Sequence, residues 1–135
     1  MKKALVVICM AMLVAPSFAQ KKNKITEKGI KSITEIKEDY EKSNGKSTFE
    51  SYIVYDKNGN VIEERSYDKN GKETEKIISE YDKDNQKVRE THYNPAGVKT
   101  QIEEYKYMDG LKTEKITYYG NGKMKSKKKY GYTYY

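Results

Sequence analysis

The chain has 135 residues, 27 of them Lys or Arg against 20 Asp or Glu, with a formal net charge of +7 and a mean hydropathy of −1.03. That length accommodates one domain, and a single cysteine excludes a disulfide framework within the chain. Acids interleave with the lysines throughout, which argues against a nucleic-acid partner.

Residues 1–19 read as a secretory signal. Lys2 and Lys3 form the positive start, residues 4–14 the apolar core, and Ser17-Phe18-Ala19 a small-x-small cleavage site before Gln20. The apolar run is shorter than the roughly 20 residues a spanning helix needs. The expectation is therefore an exported chain, periplasmic or extracellular, with no membrane span after cleavage. Cys9 leaves with the signal, and with it any thiol nucleophile or thiolate metal ligand. Residues 20–29, polar and rich in lysine, read as a flexible leader. In residues 30–40 the spacing of Ile33 and Ile36 suits a short amphipathic helix or a first strand. The rhythm of the later segments favours the strand.

From there the chain repeats one phrase: Tyr55-Asp56-Lys57-Asn58-Gly59, then Tyr67-Asp68-Lys69-Asn70-Gly71. Altered forms follow at Tyr81-Asp82-Lys83-Asp84-Asn85, Tyr93-Asn94-Pro95-Ala96-Gly97, Tyr107-Met108-Asp109-Gly110 and Tyr119-Gly120-Asn121-Gly122, and Ser43-Asn44-Gly45 is a worn first copy. An interval of about 12 to 14 residues fits one strand and one tight turn. Pro95 fixes the turn type: its φ suits position i+1 of a type I turn, followed by a left-handed residue at Gly59, Gly71, Asn85, Gly97, Gly110 or Gly122. Asp56, Asp68, Asp82 and Asn94 then accept from the main chain two residues on. The predicted fold is all-β: residues 30–135 form a single antiparallel meander of about eight strands, open or curled, built from hairpin repeats.

Counting from turns that pair i with i+4 sets Val54 opposite Ile62, Ile62 opposite Ile78, Arg65 opposite Glu75, Arg89 opposite Glu103, Glu90 opposite Ile102 and Glu103 opposite Lys115. The same count places Ile36, Tyr52, Val54, Ile62, Ile78, Val88, Val98, Ile102, Ile116, Tyr118 and Met124 on one face. It places Tyr55, Tyr67, Tyr81, Tyr93, Tyr105, Tyr107 and Tyr119 on the other, with ion pairs between them. Lys, Arg and Glu at mid-strand on both faces argue against a transmembrane barrel.

The tyrosine row is the candidate binding surface, because each ring offers an apolar plane and a hydroxyl for a sugar or a protein. Lys123, Lys125, Lys127, Lys128 and Lys129 form a candidate basic edge. Lysines there discourage pairing of an open edge, or meet an anionic polymer or headgroup. The Asp-Lys-Asn-Gly phrases lack the Gly and Glu positions of a calcium loop. His92 has no second His or Cys to complete a metal site, and Glu63-Glu64 and Glu103-Glu104 point to opposite faces. No cofactor, metal or catalytic constellation is expected.

With these phrases laid out, the chain resembles the tyrosine-aspartate (YD, or RHS-type) repeats of secreted bacterial proteins, through Tyr55-Asp56, Tyr67-Asp68 and Tyr81-Asp82 with their glycines. Tyr118-Tyr119-Gly120-Asn121-Gly122-Lys123 is similar to the Tyr-x-Asn-Gly-Lys phrase of MORN-variant repeats, a group often labelled as toxin–antitoxin components. The signal is similar to those of small exported proteins of Bacteroidetes. These resemblances imply β-strand repeats and, in large YD members, carbohydrate binding or toxin encapsulation; this chain is too short to form such a shell. The functional expectation is a non-enzymatic binding or structural module at the cell envelope with a protein or glycan partner, its aliphatic face open to a second copy. The alternative is a periplasmic immunity or antitoxin-like protein that sequesters a toxin.

Overall fold

The computed structural model describes residues 18–41 and 44–135, so the expected signal lies outside the described residues except for Phe18 and Ala19. One helix, α1 (Phe18–Glu27), precedes eight strands: β1 (Ser32–Asp39), β2 (Lys46–Tyr55), β3 (Val61–Tyr67), β4 (Glu73–Tyr81), β5 (Lys87–Tyr93), β6 (Lys99–Met108), β7 (Leu111–Tyr119) and β8 (Met124–Lys129). They form one antiparallel sheet in chain order, open at β1 and at β8. This is the open meander that the turn spacing predicts, and residues 30–40 take the strand alternative.

The segment expected to be a flexible leader is instead largely helix. Its anchor is Ile25, 4% exposed. Lys22 Nζ donates to Asn60 Oδ1 at 2.5 Å, which ties α1 to the first complete turn. Gly59 makes the close approach feasible, since a Cβ there would stand 2.9 Å from Thr26 Cγ2. One apolar contact and one polar tie override the polar composition of the segment.

The turns follow their chemistry. Gly59, Gly71, Gly97 and Gly122 have φ between 74° and 87°, and Asn85 takes φ 59° in their place. Asp56 Oδ1 accepts from the amides of Asn58 (2.8 Å) and Asn60 (2.9 Å), and Asp68, Asp82 and Asn94 repeat both bonds. One turn departs from the expected type. Asp109 (φ 51°) and Gly110 (φ 78°) are both left-handed and Met108 pairs with Leu111, which makes a two-residue primed turn. Of the worn first copy, Ser43 lies outside the described residues, while Asn44 and Gly45 are left-handed.

The counted register fails one residue beyond each turn. Tyr55 pairs with Val61, yet Val54 pairs with Glu63, leaving Ile62 as an extra residue. Thr74, Val88, Thr100, Thr113 and Lys125 are the extra residues of the next five hairpins. Each of these six hairpins therefore carries a bulge directly inside the tyrosine, while in β1–β2 the extra residue is Glu50. Thr74, Thr100 and Thr113 occupy it by donating to the main-chain carbonyls of Ser66, His92 and Lys106 at 3.1 to 3.3 Å. Because strand side chains alternate, one extra residue inverts the faces once per hairpin.

The consequence is a correction to both predicted faces. The first face holds Tyr55, Tyr81, Tyr105, Tyr107 and Tyr119, together with Ile53, Ile77 and His92; Tyr67 and Tyr93 lie on the second. Of the expected aliphatic face, Val54, Ile78, Ile102, Tyr118 and Met124 share one cross-strand row of the second face with Glu63 and Thr91. Ile62 and Val88 leave that face as bulge residues. The expected pairs become Glu63–Ile78, Arg65–Lys76, Arg89–Glu104 and Glu90–Glu103. Burial is shallow: Tyr55 (6%) and Ile116 (5%) are the buried apolar residues of the sheet, and no large side chain among the described residues is fully enclosed.

Candidate functional site

The predicted tyrosines divide by role as well as by face. On the first face, the Tyr81 hydroxyl donates to the Val61 carbonyl at 2.9 Å and Tyr107 to the Lys87 carbonyl at 2.8 Å. Burial pushes the Tyr81 phenol up to about 12, with Glu90 and Asp56 adding to it, and burial also raises Tyr55 and Tyr107. The Tyr81 and Tyr107 phenols are protonated donors to the main chain of the sheet. Tyr93 lies beneath Lys76 Nζ, 5.0 Å from its ring centroid, and Tyr119 beneath Lys125 Nζ at 5.5 Å.

Tyr105 sits in a charged network that sequence counting missed. Glu90 and Glu103 face each other directly across β5 and β6, an arrangement that repels if left alone. The Tyr105 hydroxyl stands 2.5 Å from Glu90 Oε2 and 2.7 Å from Glu103 Oε2, within donating distance of both. Lys87 Nζ lies 2.5 Å from Glu90 Oε1 and Lys115 Nζ 2.7 Å from Glu103 Oε2. Burial raises both carboxyls, but the lysines and the phenol together outweigh it and hold each below its ordinary value. Tyr105 is driven far upward by burial first, then by Glu103 and Glu90.

His92 Nδ1 lies 2.7 Å from Glu75 Oε1, and its Nε2 is buried with no hydrogen-bond partner. Ligand-type atoms of Glu90, His92 and Glu103 fall within 4.8 Å of one another. The carboxylate oxygens of that set are already engaged: Glu103 Oε1 accepts from Gln101 Nε2 at 3.1 Å, and the other three face Lys87, Lys115 and Tyr105. The chain's own donors satisfy the carboxylates, and the network ties β5, β6 and β7 together.

The second face carries a different feature. At the sheet end shared by β1, β2 and β3, an open cleft of about 510 Å³ is lined by Phe49 and Tyr67, with Lys37, Lys46 and Lys69 offset by Asp39, Glu50 and Asp68. Phe49 is 52% exposed, its ring centroid 6.1 Å from that of Tyr67 and tilted by 46°. Of the predicted tyrosines only Tyr67 lines this cleft. Phe49 escaped the reading because it breaks no turn and joins no repeat; its one signal is an aromatic ring within the polar run Lys46-Ser47-Thr48-Phe49-Glu50-Ser51. The basic edge stands where expected, with all six residues of β8 exposed and Lys127 Nζ 3.8 Å from Glu114.

No protein-family model matches the chain, and no curated protein matches it. The likeness to YD and MORN-variant repeats rests on the turn phrases. Among the described residues no helix is long and apolar enough to cross a membrane.

Proposed function

We propose that this chain is an exported, non-catalytic β-repeat protein that acts as a binding or structural module at the cell envelope, taking a protein or glycan partner in the cleft between Phe49 and Tyr67. Phe49 carries the reading. A half-exposed phenylalanine contributes little to so shallow a core, whereas beside Tyr67 it offers two ring planes to a sugar or an apolar side chain. Lys37, Lys46 and Lys69 are balanced in the lining by Asp39, Glu50 and Asp68, with Lys37 Nζ 3.8 Å from Glu50 Oε1, so the two rings and not a net charge select the partner. The Glu90–Tyr105–Glu103 network has the form of a brace within the sheet, its groups turned toward one another and toward Lys87 and Lys115.

The test is retention of the protein on a glycan array and on immobilised envelope proteins. Phe49→Ala with Tyr67→Ala should abolish retention, while Tyr119→Ala on the opposite face should leave it unchanged. Retention that survives the double substitution and falls with Tyr119→Ala would refute the assignment.

A further inference from the structure

We propose that the protein assembles head to tail with copies of itself, β8 of one copy pairing antiparallel with β1 of the next. Among the described residues the two edges of the sheet are both unpaired, and they are unlike. β1 carries Glu35, Glu38 and Asp39 against the single base Lys37, whereas β8 carries Lys125, Lys127, Lys128 and Lys129 and no acid. A β8–β8 junction would set lysines against lysines, and a β1–β1 junction acids against acids. Only the β1–β8 junction brings opposite charges together. Edge lysines block unwanted pairing; here the block is selective, since it rejects like edges and accepts the unlike one.

Strand parity favours the same junction. Eight strands in simple antiparallel order leave β1 and β8 running in opposite directions. A second copy added beyond β8 in the same orientation therefore presents its β1 antiparallel to that β8, and the meander's alternation continues. An odd number of strands would impose a parallel junction, which needs a different ladder and is slightly weaker per residue.

Exposed apolar surface gathers at the same places. Among the described residues, seven of the twelve exposed large apolar side chains sit on the two edge strands or directly beyond them: Ile36 and Tyr40 at one edge, Met124, Tyr130, Tyr132, Tyr134 and Tyr135 at the other. A junction covers part of both groups and satisfies main-chain donors and acceptors along both edges. Phe49 and Tyr67 stand on a sheet face of β2 and β3, inside the edge strand β1 whose Lys37 and Asp39 complete the cleft lining, so edge pairing repeats the ring pair about every 38 Å, at about 4.8 Å per strand. Such an array adds avidity to whatever binding the cleft has. The contact is heterologous, so growth does not stop at two copies.

The experiment is light scattering on the protein purified from cells that export it, over a range of concentrations and salt. Mass should rise past that of a dimer, and the association constant should fall by roughly tenfold between about 0.05 and 0.5 M salt as the edge charges are screened. Lys125→Glu with Lys128→Glu, and separately Glu35→Lys with Glu38→Lys, should each yield monomers, and an equimolar mixture of the two should associate again. Circular dichroism checks that each variant is folded, and if one is not, the salt series on the unaltered chain still decides. A monomer at every concentration, growth that ends at a dimer, association that strengthens with salt, or charge-reversed variants that associate alone would each overturn the proposal.

Discussion

The Tyr81 hydroxyl reaches back twenty residues to the Val61 carbonyl at 2.9 Å, and Tyr107 makes the same step to Lys87 at 2.8 Å. Tyr132 repeats it to Lys112 at 2.7 Å, beyond the last strand. Tyr81 and Tyr107 thus close two strand ends on the first face by a side chain to main chain bond. Tyr81→Phe and Tyr107→Phe should each destabilise the fold by about 1 kcal/mol in urea unfolding, the usual net value of one such bond. Tyr119→Phe, at a position 46% exposed, should stay within about 0.5 kcal/mol.

Asn60 links three parts of one sheet end. It is 4% exposed; its Nδ2 donates to Asp56 Oδ2 at 2.8 Å and to Asn85 Oδ1 at 2.9 Å, and its Oδ1 accepts from Lys22. Asn60→Ala should cost roughly 2 kcal/mol, since it leaves Asn85 and Lys22 without these bonds. The loss should be accompanied by release of α1, read as a drop in the helical circular dichroism signal and faster proteolysis near Lys24. Retention of the helical signal would mean that Ile25 alone holds α1.

The bulge residue sets the faces, so its presence matters more than its chemistry. Ile62 and Val88 fill the place that Thr74, Thr100 and Thr113 fill elsewhere. Thr100→Val should therefore cost under about 1 kcal/mol. Deleting Thr100 should exchange the faces of everything on one side of it and abolish cooperative unfolding. A deletion variant with native stability would refute the face assignment.

This bulge also explains what the sequence reading reached and where it stopped. The turns were legible because Asp-x-x-Gly carries its hydrogen bonds within five residues. Strand number, antiparallel order and the open edges followed from them. The bulge inside the tyrosine has no comparable signature: a β-branched residue inside a strand is ordinary. Its omission put Glu90 opposite Ile102 rather than Glu103, which hid the network around Tyr105, and it gathered onto one face tyrosines that belong to two. α1 was missed because Ile25 is a lone apolar residue whose partner surface exists only in the folded chain.

Acid should weaken the fold through Glu90 and Glu103. Both titrate below their ordinary value when folded, so they contribute stability that is complete above about pH 4.3, the unperturbed glutamate value, and is lost as pH falls through their lowered folded values. The urea midpoint should be flat between about pH 5 and 7 with respect to these two groups and decline below about pH 4. Glu90→Gln with Glu103→Gln should unfold at lower urea near neutral pH and show a shallower acid decline. An unchanged acid slope would assign the loss to other carboxylates.

The central claim is that the Phe49–Tyr67 cleft meets a partner at the envelope, and site-specific photo-crosslinking in cells that produce the chain tests it most directly. A crosslinking residue at position 49 should give one discrete adduct with an envelope protein or glycan, and one at the exposed turn residue Lys83 should give none. No adduct from position 49, or the same adduct pattern from both positions, would contradict the account.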